Sequence, residues 1–313
     1  MNDVTVTGIG VLLPGIDKPA HALHPSPPAG PGWFDVTTVL PGRGYRRLPP
    51  ASQYLLAAAA EALADAGPGF AAAPADRRGV VTALNNAGAE LMDQQDRTII
   101  ATGADDLSPL TTPYFATSLF GSRLAAEHTV HGFSLTVNSP RTAGLEGVQL
   151  GGRALAAGRA DVLLIGATEQ TLPPGEPGAA DSDVGAVVLV GETGAAARAR
   201  AHGGVRVRTG FLGPWTGDEA LDRLWDSTVA AGPVPPVEAV LDDSPAGAWV
   251  AGWLRTRGLD PVLVPAPAGC LTPLRRVAGH LAAGRADQLV VTAAAEGCVA
   301  FARITPPDHP EQE

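Results

Sequence analysis

Leu155 to Glu169 reads LAAGRADVLLIGATE, and further along Leu281 to Thr292 reads LAAGRADQLVVT. The seven residues LAAGRAD recur unchanged, and both times they close an Ala/Leu-rich run and open an apolar one. Gly158 and Gly284 fall where a helix would end, at the cap position that favours a left-handed residue. A chain this rich in alanine can repeat seven residues by chance. The helix–Gly–strand context is nevertheless the same at both copies, and a duplicated architecture follows.

The same alternation continues on either side of the two copies. Val4–Gly10 (VTVTGIG), Gly79–Leu84, Ser134–Val137 and Asp161–Ala167 are apolar or β-branched runs of strand length. Ala51–Ala66, Gly121–Val130 and Ala143–Ala157 carry helical spacing. Around the second copy, helices are expected at Asp218–Ala230, Ala246–Thr256 and Thr272–Ala283. Strands are expected there at Val237–Leu241, Pro261–Pro265, Gln288–Thr292 and Cys298–Ile304. This alternation is that of an α/β protein. Pro19–Pro31 and Pro173–Gly178 hold too few apolar side chains to offset ordering, and read as surface loops.

Composition narrows the function classes. With 313 residues, 45% of them hydrophobic, the chain can bury a large core. The formal net charge is −10 and no run of Lys or Arg is long enough to follow a phosphate backbone, so nucleic acid is not an expected partner. No stretch of eighteen apolar residues suggests a membrane span. Met1-Asn2-Asp3 opens directly into a strand pattern without a basic leader, which predicts a cytoplasmic protein. Cys270 and Cys298 are the only cysteines, too few for a disulfide framework or a paired-thiol metal site; neither metal nor cofactor is expected. Lys18 is the only lysine, a bias that suggests a high-GC bacterial source and says little about chemistry.

Three segments carry a resemblance. VTGIG with the following Val11-Leu12-Leu13-Pro14 resembles the opening of β-ketoacyl synthases, and DVLLIGATE (Asp161–Glu169) is similar to their ADxxLxGGxE strand. Between them, Phe133–Gln149 (FSLTVNSPRTAGLEGVQ) resembles the turn in which that family carries its nucleophilic cysteine, with Gly144-Leu145 matching the family's Gly-Leu. The resemblance implies a thiolase-like duplicated fold, layered αβαβα, with pseudo-symmetric halves at 1–190 and 191–313. The second half is shortened relative to ordinary ketosynthases, mainly between Val190 and Val237 and between Cys270 and Gly297.

The same registration puts Arg141 in the nucleophile's place. A Claisen-type condensation needs a thiolate to carry the acyl chain, and a guanidinium stays protonated and only donates. The family's two catalytic histidines are also absent. The strand at Val237–Leu241 runs into Asp242-Asp243, with Asp243 where the first His belongs, and PAPAGC (Pro265–Cys270) puts Cys270 where the second belongs. The repeat independently makes Cys270 the counterpart of Gly144, near a helix start. His280 falls instead at the final turn of its helix, and is expected to be a surface or helix-end histidine. Cys270 reads either as an acidified thiol at a helix N-terminus or as a small buried apolar residue, and Cys298 reads as core. Arg141 either pairs with a carboxylate such as Asp242 or Asp243 and fills the vestigial pocket, or stands in solvent without a partner. The positive end of a helix dipole calls for a compensating anion nearby.

Among ketosynthase relatives the resemblance is to the chain-length factors of type II polyketide synthases. It implies a non-catalytic subunit paired with an active ketosynthase, meeting acyl carrier protein through the complex. The implied dimer strand is Ser134, Leu135, Thr136 and Val137, and the implied tunnel gate is Tyr114, Phe115 and Phe120, which equally read as core aromatics. Many chain-length factors carry Gln at the nucleophile position; Arg141 departs from that and sets aside the decarboxylation sometimes associated with the Gln. Two other readings stand beside this one: an acyltransferase or hydrolase using Cys270, Ser139 or Asp243, and a stand-alone scaffold or binding protein.

Overall fold

In the computed structural model, Val4–Leu12 forms strand β1, and its glycines explain why the opening motif needs them. A Cβ on Gly10 would stand 1.9 Å from the Ala58 carbonyl oxygen, and one on Gly8 would stand 2.2 Å from that of Ala62. The alanine-rich helix α1 (Pro50–Ala66) therefore lies directly on the strand. The structure describes residues 3–229, 233–284 and 287–307. Ala230, the expected end of a helix, lies outside the described residues, as do Arg285 and Ala286 of the second repeat.

Nine further strands complete one sheet: β2 (Arg78–Ala83), β3 (Ser134–Val137), β4 (Val162–Glu169), β5 (Gly185–Glu192), β6 (Gly203–Phe211), β7 (Val237–Val240), β8 (Val262–Val264), β9 (Gln288–Ala293) and β10 (Cys298–Thr305). Their order is β3-β2-β4-β5-β1-β6-β10-β9-β7-β8. Read from either edge, the two sets of five have the same order and the same pairing sense. β2 is parallel to β3 and β4 as β7 is to β8 and β9, and the remaining pairs are antiparallel. The sets join only where Val4–Val6 meets Gly203–Val205. The duplication signalled by LAAGRAD is thus present in the topology.

Helices α2 (Ala89–Thr102), α3 (Ser118–Glu127), α4 (Ala143–Ala156), α5 (Asp218–Val229), α6 (Pro245–Thr256) and α7 (Leu271–Ala282) complete the framework. α4 and α7 pack against each other and against strands of both sets, which makes them the middle layer; α1 and α3 cover the outer face of the first set, α5 and α6 that of the second. The side chains follow the strand period of two. In β4, Leu163, Ile165 and Ala167 enter the central core while Val162 and Leu164 face α1. In β9, Val290 faces inward while Leu289 and Val291 meet the core under α5 and α6. Both faces of these strands are buried, hence their unbroken apolar runs.

Each repeat copy does the same work. Gly158 and Gly284 leave their helices at φ 65° and 58°. The aspartate that follows is held by an arginine, Asp161 by Arg77 at 2.6 Å and Asp287 by Arg303 at 2.9 Å. Two expectations need correction. The helix read at Gly121–Val130 runs from Ser118 to Glu127, because the chain leaves it through Thr129 at φ 52° on its way into β3. His280 does lie in the last turn of α7, but it is 1% exposed, with Nε2 3.0 Å from Glu238 Oε1. Arg276 holds the same carboxylate by two 2.7 Å hydrogen bonds. Burial raises the pKa of Glu238, but His280 and Arg276 outweigh it and bring it to about 2. Among the described residues no helix is long and apolar enough to cross a membrane, and no group of three or more potential ligands gathers as a metal site.

Candidate functional site

Strand β3 is anchored to β2, and α4 is wedged in the middle layer, so five residues, Asn138 to Thr142, must turn the chain from one into the other. Arg141 takes the strained part of that turn. It and Thr129 are the only non-glycine residues with positive φ among those described, and at φ 51° it sits in the left-handed region, which costs a side-chain-bearing residue about 1 kcal/mol.

The Arg141 side chain spends its donors on three loops. Nη1 donates to Asp242 Oδ2 at 2.7 Å and to the Ala293 carbonyl at 3.1 Å; Nη2 donates to the Ala266 carbonyl at 3.3 Å. These acceptors lie just past β7, past β8 and at the end of β9, so one guanidinium ties the β3–α4 turn to three loops of the second half. Nε is buried without a partner among the described residues. Asp242 is held from its other side by the Ser244 backbone N–H at 3.1 Å, in the turn through which Ser244 caps α6. Burial alone would raise the Asp242 pKa, but Ser244 and Arg141 together hold it below the ordinary aspartate value. Asp243, expected in the first histidine's place, is exposed; Asp242 is the carboxylate that enters the site, because the turn into α6 directs its side chain inward and its neighbour's outward.

The matching turn of the second half, between β8 and α7, is closed differently. Gly269 has φ 129° and Cys270, the helix N-cap residue, is fully buried. A Cβ on Gly144 would lie 3.1 Å from the Cys270 carbonyl oxygen, so the two residues paired by the repeat touch where α4 meets α7. The Cys270 backbone N–H donates to Glu169 Oε1 at 3.0 Å, and the other oxygen of Glu169 takes the Asn86 N–H at 2.7 Å. Asp183 receives the N–H groups of Leu271 and Thr272 at 2.9 and 3.0 Å and the Thr272 hydroxyl at 2.7 Å. Burial pushes the Cys270 thiol well up, and the carboxylates of Glu169 and Asp183 push the same way, so it stays a thiol. Burial also raises Glu169, to about 7. Sequence reasoning quoted Glu169 only as the last residue of a strand and passed over Asp183; the signal would have been two acids just outside apolar strands, facing a helix start that lacks a capping side chain.

The other candidate nucleophiles have no histidine beside them. The Ser139 hydroxyl donates to Glu146 Oε2 at 2.9 Å and the Thr142 hydroxyl to Oε1 at 2.6 Å; a carboxylate in the first turn of α4 here organises the elbow, with no histidine in the group. Cys298 is half-buried at the start of β10, its thiol raised by burial.

The aromatics upstream of the turn part company. Tyr114 and Phe120 stack edge to face, ring centroids 5.1 Å apart, in a small core with Ala51, Leu84 and Ala87. Phe115 is 66% exposed, away from both. A cavity of about 460 Å³ opens beside that core, sharing Leu48 and Leu91 with it. β3 is an edge strand: Ser134 is exposed, Leu135 and Thr136 half-buried, Val137 buried. The carbonyls of Phe133 and Val137 accept from β2, so by the period of two the N–H groups of Ser134 and Thr136 point to the open edge.

Residues 37–206 match the family model described as Beta-ketoacyl synthase, N-terminal domain. Among curated proteins, 3-oxoacyl-[acyl-carrier-protein] synthase 2 of Vibrio cholerae serotype O1 is 26% identical over 141 residues, 45% of this chain and 34% of that protein. The enzyme of the same name from Vibrio harveyi is 24% identical over an equal length. The matched region thus spans about a third of the curated relatives. Among solved structures, the ishigamide ketosynthase/chain length factor superposes with a TM-score of 0.75 at 20% identity, over 97% of this chain and 99% of that one. A type II PKS acyl-carrier protein in complex with its ketosynthase gives 0.78 at 14% identity and the same coverage. The ketosynthase from module 1 of the bacillaene synthase of Bacillus amyloliquefaciens FZB42 gives 0.69 at 12% identity, over 98% and 72%. These structures share the fold.

Proposed function

Since this chain belongs to the β-ketoacyl synthase family, we propose that it is a non-catalytic chain-length-factor subunit, which pairs with an active ketosynthase and shapes the tunnel for the growing chain. The observation that carries the proposal is Arg141: the residue that the resemblance registers with the family's nucleophile is a cation tied to the loops past β7, β8 and β9. Carbon–carbon bond formation needs a thiolate at that elbow and a group to polarise the incoming thioester. Here the elbow holds an engaged guanidinium and the second turn holds a protonated, buried thiol. Two similar structures, a ketosynthase/chain length factor and a type II PKS acyl-carrier protein in complex with its ketosynthase, support the reading for partners.

Pairing would use the open edge of β3, whose outward N–H groups at Ser134 and Thr136 suit strand addition or a closely packed two-fold contact. Phe115, exposed and outside the small core that holds Tyr114 and Phe120, would complete the gate only against the partner. The carrier protein has a candidate contact as well. Arg43, Arg46 and Arg47 lie within five residues around a cavity of about 620 Å³, a basic patch on a chain of net charge −10. The test is co-expression with a ketosynthase followed by size-exclusion chromatography and an elongation assay with malonyl carrier protein. The reading expects a one-to-one complex whose product length shifts with Phe115→Ala or Phe115→Trp. A protein that neither binds nor alters any ketosynthase would remove it in favour of a stand-alone scaffold.

A further inference from the structure

The two halves of the duplication differ most in one connection. From β2 to β3 the chain runs over 84–133, more than twice the length of the counterpart from β7 to β8 over 241–261. Each connection holds one helix of the framework, α3 or α6, and the surplus in the first half is the insert 85–117, which carries α2. None of the 14 residues of α2 is buried. A helix of that length without a buried face is marginal in water, so it calls for a cover. Of the 11 large apolar side chains exposed among the described residues, five lie on this insert: Met92, Ile99, Ile100, Leu110 and Phe115.

The helical period sorts α2 into two sides. Glu90, Leu91 and Gln94 face the body of the chain, where they line a cavity with Arg46 and Arg47, and Gln170 donates to Glu90. Met92, Asp96, Ile99 and Ile100 fall on the opposite side, within roughly 100° of arc. Ile100 is 85% exposed. Asp96, exposed in the midst of that side, takes part in no ion pair among the described residues; the insert's one cation, Arg97, is held by Asp93 at 2.9 Å. The insert as a whole sets Glu90, Asp93, Asp96, Asp105 and Asp106 against that single arginine. Such a side fits a surface that is apolar and basic. It does not fit itself, because a two-fold contact sets each patch against its own copy, here acid against acid. Continuity indicates the partner: the Leu84 N–H still donates to the Val137 carbonyl, so the insert leaves the sheet at the end of the open β3 edge.

Resting on the reading that the chain pairs with a ketosynthase, we propose that α2 is the face that selects that partner. Met92, Ile99 and Ile100 dock on an apolar, basic surface of the ketosynthase, and Asp96 pairs with a cation there while keeping two copies of this chain apart.

The test is sedimentation velocity over a dilution series, on the full chain alone and on its complex with the ketosynthase. Since no side chain of α2 is buried, exchanges on it leave the fold intact. Asp96→Arg should weaken the complex at least about tenfold, as reversal of one member of a close interfacial charge pair does. Ile99→Glu should weaken it to a similar degree, and Asp96→Glu, which keeps the charge, by no more than about twofold. Asp226→Arg, the same reversal on an exposed acid of α5, should change it by about twofold at most. Asp96→Leu should make the lone chain self-associate more tightly than wild type. A wild-type complex indifferent to Asp96→Arg and Ile99→Glu would overturn this docking face and leave the pairing itself standing. A wild-type chain that pairs with no ketosynthase would remove both, and a lone wild-type dimer broken by Ile99→Glu would give the face to a second copy and overturn the proposal.

Discussion

The two elbows that feed the middle layer are products of one duplication, yet they are closed by opposite chemistry. Before α4, a strained Arg141 reaches out and fastens three loops through hydrogen bonds and one ion pair with Asp242. Before α7, Gly269 takes the strain, Cys270 turns inward, and two buried acids reach in to hold the helix start. The first closure is charged, half-buried and links elements across the halves. The second is deeply buried and links backbone amides to acids from the first half. The difference teaches that one duplicated elbow can be closed in two ways, each by the interaction that its burial permits.

The comparison breaks most easily at the buried elbow. Asp183→Ala would strand two backbone N–H groups and the Thr272 hydroxyl, all buried, at a cost of about 3 to 4 kcal/mol read by urea denaturation. Arg141→Met, at the charged elbow, should cost about 2 kcal/mol, since Asp242 keeps Ser244 and some water. In thermal unfolding of a chain of 313 residues that is a fall of roughly 3 °C. Equal losses in the two variants would mean that the elbows are not closed differently after all.

pH sharpens the contrast. Glu169 is raised in the folded chain to about 7, against about 4.3 unfolded. Between those values the folded state holds the extra proton, so stability should fall as pH rises from about 4.3 to 7 and stay reduced above. Asp242 is lowered, so its contribution is fully present above the unfolded value of about 3.9 and is lost only as pH falls through its folded value. Denaturation between pH 4.5 and 7.5 should show a decline in wild type that is clearly smaller in Glu169→Gln, the remainder belonging to Glu61 and Asp183, which burial also raises. Arg141→Met should leave the slope of that window unchanged. The smallest effect belongs to the surface: Phe115→Ala should change the stability of the isolated chain by less than about 0.5 kcal/mol, whereas Phe120→Ala should cost about 3 kcal/mol or more.

The sequence was most informative where burial imposed a pattern. LAAGRAD revealed the duplication because a left-handed glycine and an arginine-held aspartate are needed at both helix-to-strand joins. VTGIG was legible as the opening strand; that its glycines let α1 lie directly on it, since nothing larger fits at Gly8 and Gly10, came only from the structure. β5 and β6 were passed over, although Ala186–Val190 is an apolar run of strand length; its pairing with β1 and β4 is long-range and leaves no local mark beyond that run. α2 was passed over for the opposite reason, as a helix with no buried residue has no core-facing period to read. At the site, the elbow and its arginine were legible because a motif was present to be departed from. Asp242 rather than Asp243, the buried His280, and the roles of Glu169 and Asp183 were not, because side-chain direction at a turn is set by packing across the halves.

On the proposed function, this chain contributes a partner surface and no condensing chemistry. The most direct measurement is chain elongation by the reconstituted pair, comparing an intact ketosynthase partner with one whose nucleophilic cysteine is replaced by alanine, and this chain alone as a third arm. Turnover is expected only with the intact partner, with a dead complex when the partner's cysteine is lost and none from this chain by itself. Elongation sustained without the partner's cysteine, or by this chain alone, would contradict it.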